Sequence, residues 1–438
     1  MKESHDNEFE STVAKPGNMS SNDNTLARPL FHEDWVAVIL GLAIICVFLA
    51  GGVVPAPAFG WSSWSDVGER ILSPTNGSSI VLQFLFVYIV AALAAVLTGK
   101  KLRSVLMAFP ILFLLTTIAI FFAGNSTVNS LNLEAVIFSL AIGLAIGNTI
   151  TLPKWFSDAL STEMYVKIGL VLLGTGVIFT DILKAGSLGL LQALVVVVSV
   201  WYFAYWICKK LKIDEELSMM ISSAVSICGV SAAIATAGAI HGDNKKLSYV
   251  ISLVLITAIP MMIVMPWMAN KFGFSQEVTG AWLGGSIDTT GAVVASGTLV
   301  GETALKISTI VKFSQNVLLG IAAFGISIYW TYTRKDRGAI QKPTLSVIWE
   351  RFPKFILGFM AASLIFSFLL SPEKVSAVKG GLKSMQTLWF VLAFTSIGLE
   401  TRFRDLFNST TQRPLYAFLT AQLFNIVVTL IVAMLLFG

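Results

Sequence analysis

The chain has 438 residues, of which 55% are hydrophobic and only 13% charged, with a mean hydropathy of +0.78. A soluble protein carries roughly 25% charged residues, so this composition excludes an ordinary soluble domain and indicates a polytopic membrane protein. The net charge of +5 comes from short basic loops between apolar runs, and it therefore does not indicate nucleic-acid binding.

The N-terminal residues 1–34 are polar, rich in Ser, Asn and acidic side chains, and lack hydrophobic periodicity. We expect a disordered cytoplasmic tail, because no basic region adjoins a short apolar core as it would in a signal peptide. The remaining residues, 35–438, are expected to form one transmembrane domain.

Apolar segments then follow along the whole chain, at 35–54, 79–98, 104–123, 134–151, 164–181, 187–208, 217–240, 247–269, 278–300, 304–331, 352–370, 384–400 and 414–437. At ~1.5 Å per residue, each is long enough to cross most or all of a hydrocarbon core of ~30 Å. The predicted fold class is therefore an all-α polytopic membrane protein with about 11–13 membrane segments.

Basic residues set the predicted orientation. They cluster in the loops at 100–103, 209–212, 334–337 and 402–413, whereas the 124–133 loop has none, which places the N-terminus in the cytoplasm. Lys245 and Lys246 fit this pattern only if segment 217–240 re-enters the membrane from the cytoplasm. The sequence leaves two alternatives open, about thirteen full crossings or about eleven with two re-entrant segments.

Two of these segments are interrupted by glycine and small hydroxyl residues. Such interruptions near the bilayer midplane are the best sequence indication of a secondary transporter's binding site. Where the first breaks at Gly229, freed amides of Val230 and Ser231 can face an anion. The simpler alternative is that these small residues only allow close helix packing. The candidate substrate-binding residues of the two segments are Ser226, Cys228, Gly229, Val230 and Ser231 in the first, and Gly285, Ser286, Thr289 and Thr290 in the second.

Asp288 lies ten residues into the second interrupted segment, where a carboxylate is costly in hydrocarbon unless it faces protein, water or an ion. A carboxylate repels an anion, so we predict that Asp288 couples a proton or Na⁺. The alternative is a buried interface hydrogen bond. Lys312 and Asn316 share one face of the next segment, which suits an anion site. Lys312 could instead be a lysine that snorkels to the boundary.

The segment from Leu170 to Leu183 is weakly similar in sequence to the segment from Phe390 to Leu406. Each has an apolar helix, a glycine and a Thr followed by an acidic exit, and the two helices run in opposite orientations. This arrangement is the one expected for inverted repeats.

The motif Ser226-Ile-Cys-Gly-Val-Ser-Ala-Ala-Ile234 resembles the signature of the YeiH-type sulfate exporter family of bacterial inner-membrane proteins. The likeness continues in order through Gly147-Asn148, Lys167–Gly174, Gly284–Ile287, Ala292–Gly297, Val311-Lys312 and Gly398–Thr401. The resemblance implies a multi-pass carrier for a small anion in the inner membrane. Many relatives have His-Asp after the Ser-Ile where this chain has Asp288-Thr289, so neither the substrate nor the coupling ion is carried over.

The leading functional hypothesis is a secondary active transporter of a small inorganic or sulfur-containing anion. The alternatives are an anion channel, or a carrier for a small organic acid or sulfonate. Catalysis is not expected, since no histidine lies in an apolar segment to activate a serine. The three cysteines and three histidines have no metal-ligand spacing, so no metal or cofactor is expected apart from a coupling proton or Na⁺. Expected partners are the anionic substrate and membrane lipid, with a homodimer left open.

Overall fold

The computed structural model describes residues 30–52, 54–130, 134–333, 345–401 and 412–438. The predicted tail therefore lies almost wholly outside the described residues, as do the basic residues at 334–337 and most of the 402–413 loop. Of the two similar segments, the one from Phe390 to Leu406 is described only as far as Thr401.

The described residues form helices, which confirms the all-α polytopic fold class. In chain order they are α1 Glu33–Leu49, α2 Trp64–Asp66, α3 Pro74–Thr98, α4 Leu102–Ala123, α5 Ser126–Ser130, α6 Ala135–Thr149, α7 Lys154–Ser157, α8 Thr162–Leu173, α9 Phe179–Lys210, α10 Glu215–Ser223, α11 Val230–Ile240, α12 Asn244–Phe272, α13 Gln276–Ser286, α14 Thr290–Val300, α15 Glu302–Thr333, α16 Ser346–Arg351, α17 Phe355–Leu364, α18 Pro372–Glu400 and α19 Gln412–Phe437.

Six of the described helices are long and apolar enough to cross a membrane by themselves, namely α3, α4, α9, α12, α15 and α19. Others that run between the two ends are shorter or more polar. The predicted segment 164–181, for example, is not one helix: α8 ends at Leu173, and a 3₁₀ turn at Gly174–Gly176 follows before α9. The backbone packs closely on α17 at this turn, since a Cβ on Gly174 would lie 2.4 Å from the carbonyl oxygen of Phe359.

Contacts between elements distant in sequence identify the two ends of the bundle. At one end, which we call the basic end, Lys100 Nζ donates to the Leu160 carbonyl at 2.6 Å and Thr162 donates to Glu400 at 2.9 Å. The opposite end, called here the distal end, holds Glu134 and Lys383. The helices α8 and α18 run antiparallel between the two ends. This is the relative orientation expected for the two similar segments if they are inverted repeats.

Both interrupted segments are re-entrant hairpins. Hairpin 1 (Asp214–His241) leaves the basic end and returns to it, because Lys246 Nζ lies 2.6 Å from Asp214 Oδ1. Hairpin 2 (Ser275–Gly301) leaves and returns to the distal end, where Gln276 Oε1 accepts from the Ala304 amide at 3.4 Å. Of the two topologies that the sequence left open, the described residues therefore match the one with two re-entrant segments.

The helices divide into two groups. A panel is made by α1, α3, α4, α6, α8, α17 and α18, which pack on one another. A hairpin group is made by α9–α15 and α19. Within the panel, Gly143 and Gly398 allow α6 and α18 to touch through their backbones. The helix α14 lies where the two groups meet, since it contacts α6, α8 and α18 of the panel.

Candidate functional site

The tip of hairpin 1 is a backbone break that requires glycine. A π-helical turn at Ala224–Cys228 ends the first half, and α11 begins directly after Gly229. Gly229 has φ +57° and ψ −111°, a conformation that residues with a side chain rarely adopt. A Cβ there would lie 2.6 Å from Val254 Cγ1 and 3.0 Å from the Cβ of Asp288. The tip of hairpin 1 therefore rests directly on hairpin 2.

The tip of hairpin 2 is a three-residue extended connection. The helix α13 ends at Ser286, Ile287 is extended, and Thr289 caps α14 by accepting from the Ala292 amide at 3.3 Å. Asp288 stands between the two half-helices with only 2% of its surface exposed. The two hairpins thus enter from opposite ends of the bundle and meet at their tips.

Three side chains each join a carbonyl of one hairpin to a carbonyl of the other. Lys312 Nζ donates to Ile227 O at 3.0 Å and Ile287 O at 2.8 Å. Gln315 Nε2 donates to Ser226 O at 2.9 Å and Gly285 O at 3.3 Å. Asn425 Nδ2 donates to Val225 O at 3.0 Å and Ser286 O at 3.2 Å. These six carbonyls belong to the C-terminal ends of the first half-helices, which carry partial negative charge.

The tips lie near the middle of the bundle. Lys312 is ten residues from the start of α15, a rise of about 15 Å, or half of a ~30 Å hydrocarbon core. Lys312 is 1% exposed, so it is not the snorkelling lysine of the simpler alternative in this structure. Its third hydrogen goes to Gln315 Oε1 at 2.8 Å. Three acceptors match the three hydrogens of a protonated ammonium.

Several buried oxygens near the hairpin 2 tip lack a donor among the described residues: Ser286 Oγ, Asp288 Oδ2, Asn316 Oδ1 and Gln422 Oε1. Such atoms are rare in folded proteins and call for an explanation, often a water or an ion. Asp288 also makes no salt bridge with any described residue. This tip is therefore poised to take up a proton, a cation or water.

The second half-helices, α11 and α14, start at the tips and present their N-terminal ends to one cavity of about 220 Å³. Cys228, Ser231, Thr290 and Asn316 line its inner end. Asn316 Nδ2 donates to Thr290 Oγ1 at 3.4 Å, and no side chain among the described residues caps α11. Two uncapped or partly capped helix N-termini facing one space favour an anion there.

The mouth of this cavity lies at the basic end, between the hairpin group and the panel. Lys167 of α8 lines it and bonds Asp34 at 3.0 Å and Glu33 at 3.1 Å, both from the start of α1. Lys354 donates its backbone amide to Asp34, and burial lowers the pKa of its side-chain ammonium despite neighbouring carboxylates. This ionic cluster holds α1, α8 and the start of α17 together around the opening.

A second cavity of about 240 Å³ lies at the distal end, again between the panel and the hairpin group. Thr298 of α14 and Lys383 of α18 line it, with Glu302, which bonds Lys383. Burial raises the pKa of Glu134 at its rim, against the lowering effect of Lys383. The two cavities share no lining residue, and the buried residues between Thr290 and Thr298 of α14 separate them.

All the predicted site residues therefore gather at the hairpin tips, but in two layers. Cys228, Ser231, Thr290 and Asn316 line the cavity. The others, Ser226, Gly229, Val230, Gly285, Ser286, Asp288, Thr289 and Lys312, form the tips or brace them. Ser226, for example, offers its carbonyl to Gln315, while its hydroxyl donates to Ser222 O at 2.7 Å.

Some residues of the site are not among those predicted from the sequence. Gln315 and Asn425 brace both tips, and Gln192 donates to Ala281 O at 2.8 Å beneath hairpin 2. Their amide side chains within apolar helices were the available signal. The sequence signal for Lys167 and Arg351, which line the cavity, was weaker, because each lies near a helix end where basic residues are common.

The fold and site together define a multi-pass membrane protein built on two opposed re-entrant hairpins. The chain belongs to the family described as conserved hypothetical protein 698, which matches residues 84–417. This match confirms the YeiH-type resemblance inferred from the motifs.

Its relatives carry the name UPF0324 membrane protein. One from Rhodopirellula baltica is 42% identical over 373 residues, covering 83% of this chain and 68% of the relative. One from Nitratidesulfovibrio vulgaris is 38% identical over 351 residues, covering 77% of this chain and 60% of the relative. One from Nitrosomonas europaea is 27% identical, covering 90% and 94%. No solved structure matches the chain.

Proposed function

We propose that the protein is a secondary active transporter of a small anion, which binds in the cavity at the hairpin tips. The observation that carries the proposal is the convergence of the α11 and α14 N-termini on the space lined by Ser231, Thr290 and Asn316. Half-helix N-termini at the midplane bind anionic substrate groups in other secondary transporters. At about 220 Å³ the cavity suits a small ion, since drug-sized ligands occupy ~300–1,000 Å³.

The electrostatics of the site also favour an anion at the tips rather than at the mouth. At the mouth, Lys167 faces the carboxylates of Asp34, Glu33 and Glu163, so its charge is already compensated. At the tips, the buried Lys312 ammonium and the two helix N-termini supply positive potential. The anion is therefore expected to pass the mouth and bind against α11 and α14.

A carrier explains the two separate cavities better than a channel does. Both cavities lie between the panel and the hairpin group, one at each end, and α14 separates them. A movement of the hairpin group against the panel would open one cavity and close the other, which is alternating access. An open channel requires a continuous polar path, which these cavities do not form.

Basic loops assign the basic end to the cytoplasm, so the cavity in this structure faces inward and the N-terminus is cytoplasmic. The bacterial inner membrane is part of the same proposal, because the resemblance to the YeiH-type family of inner-membrane proteins implies it. Asp288 is the coupling group of this proposal, since it lies in the tip beside the substrate space. No reaction is proposed for the site.

The test is a ligand screen followed by transport. Purified protein would be heated with sulfate, sulfite, thiosulfate, bicarbonate, small sulfonates and small carboxylates, and a ligand at a hundredfold excess over its Kd should stabilise it by about 2.7 kcal/mol. The stabilising anion should then accumulate in liposomes that contain the protein. Single-channel currents would favour the channel, and the absence of both accumulation and currents for every stabilising anion would refute transport.

A further inference from the structure

The carbonyl oxygens at the hairpin tips form a position where a transporter would hold a dissolved cation. In discontinuous transporters, unwound carbonyls and half-helix C-terminal ends coordinate the coupling Na⁺. Here Ile227 O and Ile287 O come from such ends on two hairpins and converge on one point. Gln315 Oε1 supplies a third oxygen.

That point is filled by the chain itself. Lys312 Nζ lies 2.8–3.0 Å from all three oxygens, and each of its hydrogens has one acceptor. The orientation of the Gln315 amide is fixed, because its Nε2 already donates to Ser226 O and Gly285 O. The next carbonyls are also used, by Asn425 and Gln422. Each of these carbonyls therefore already accepts a hydrogen bond from a side chain, and Lys312 Nζ fills the point on which Ile227 O and Ile287 O converge.

We propose that the Lys312 ammonium is a tethered cation that permanently occupies this position, so that the carrier works without sodium and is coupled to a proton on Asp288. This proposal rests on the proposed transport function and names its coupling ion. Asp288 follows Ile287 directly, and its Oδ2 has no donor among the described residues. A buried carboxylate without a salt bridge is costly and readily becomes neutral by taking up a proton.

Charge explains why proton and anion would bind together. Lys312 and Cys228 are the titratable groups that interact with Asp288 from the neighbouring elements. With Asp288 ionised, the tip carries one positive and one negative charge; with Asp288 protonated, it carries a net positive charge. The same cavity holds His32, Asp34, Glu163, Lys167, Glu350 and Arg351, but at its mouth rather than at the tips. Protonation of Asp288 therefore strengthens the binding of an anion beside Thr290.

The first experiment uses purified protein without substrate. Thermal unfolding is recorded in NaCl, ammonium chloride, methylammonium chloride and choline chloride at equal ionic strength. The wild-type midpoint should be the same in all four salts. Lys312→Ala should unfold on the order of 5 °C lower in choline, and ammonium or methylammonium should recover most of this loss. The matched control, Lys271→Ala, removes an exposed lysine and should show no salt-specific response.

Sodium-specific stabilisation of the wild-type protein, or binding of ²²Na⁺ to it, would overturn the proposal. So would a folded Lys312→Ala variant that responds to none of the small cations. If that variant does not fold, the wild-type sodium measurements still decide. When sulfate is added as the probe to liposomes that contain the protein, its uptake should be accompanied by proton movement both with and without Na⁺. Sodium-dependent uptake contradicts this inference alone, whereas no uptake of any anion contradicts the transport function itself.

Discussion

Gly229 of hairpin 1 lies against Asp288 of hairpin 2, and a Cβ at residue 229 would be 3.0 Å from the Cβ of Asp288. The two residues are 59 positions apart in the chain and belong to hairpins that enter from opposite ends. Each is thus the point where its hairpin reverses direction. Their contact places the carboxylate of one tip beside the helix N-terminus of the other.

This contact leads to the first prediction. Gly229→Ala adds a Cβ that collides with Asp288 and Val254, at a backbone φ of +57°. Strain and overpacking of this kind each cost about 1–3 kcal/mol, so we expect a clear fall in the thermal midpoint and loss of transport. Gly325→Ala is the control, since nothing lies within 4 Å of its Cβ and alanine favours the helix. Equal midpoints for the two variants would show that the tips do not touch as described.

The second prediction concerns Asp288. Asp288→Asn keeps the size of the side chain but cannot carry a coupling proton. We expect proton-driven accumulation to be abolished while exchange of unlabelled for labelled anion continues, because the cavity is unchanged. The fold should be at least as stable, since an unpaired buried carboxylate is removed. Asp158→Asn, at an exposed carboxylate, is the control. Unchanged accumulation at matched protein levels would remove Asp288 from the coupling role.

Much of this site could be predicted from the sequence, for a physical reason. Glycine and hydroxyl residues at 226–231 and 285–290 break an apolar helix wherever it folds, so local composition was enough to find both tips. Their meeting was not predictable, because it depends on contacts between residues such as Val225 and Asn425, 200 positions apart. The ion pair at the cavity mouth was likewise not predictable, because Lys167 and Asp34 are 133 positions apart and each resembles an ordinary charged residue at a helix end.

The sequence alone could not decide whether the segment of hairpin 1 crosses the membrane or re-enters it. The deciding contact is Lys246 with Asp214 and Glu216, at 2.6 and 3.1 Å. Both acidic residues begin the hairpin, and the lysine follows its end. The basic residues at 245–246 already favoured this answer, but composition alone cannot distinguish a hairpin from a crossing helix.

A labelling experiment tests this topology in the membrane. A single cysteine at Lys245, with Cys46, Cys208 and Cys228 replaced, should react with an impermeant maleimide only from the cytoplasm. A cysteine at Lys271, at the other end of α12, should react only from outside, and it serves as the matched control. Both positions are exposed. Labelling of residue 245 from outside would establish a full crossing and refute the re-entrant hairpin.

The substrate space is tested at Asn316, which lines the cavity and bonds Thr290. Asn316→Ala removes a hydrogen-bond donor at the proposed site, and loss of such a bond to a charged ligand costs about 1.5–3 kcal/mol. We expect the Kd of the stabilising anion to rise roughly tenfold or more. Ser314→Ala is the control, because its hydroxyl bonds the Gly186 and Ile310 carbonyls and lines neither cavity. Equal losses in both variants would indicate a general packing defect.

The last prediction concerns the charge of Lys312, which braces the tips without lining the cavity. Lys312→Gln keeps a hydrogen-bond donor and much of the length but deletes the positive charge. An unpaired ammonium at this depth costs about 2.5–3.5 kcal/mol on insertion scales, so the protein retains it against that cost. We expect anion affinity to fall at least tenfold, about 1.4 kcal/mol, while Lys312→Arg keeps part of it despite its planar shape.

The measurement is the anion Kd from thermal shifts, with Lys271→Gln as the control for loss of an exposed lysine on the hairpin group. A fall in affinity for Lys312→Gln alone, with partial recovery in the arginine variant, assigns the effect to the buried charge. If Lys312→Gln instead binds the anion as the wild-type protein does, then the tips hold their substrate through the helix N-termini alone. In that case Lys312 serves only to join Ile227 and Ile287, and its removal should lower stability without changing selectivity.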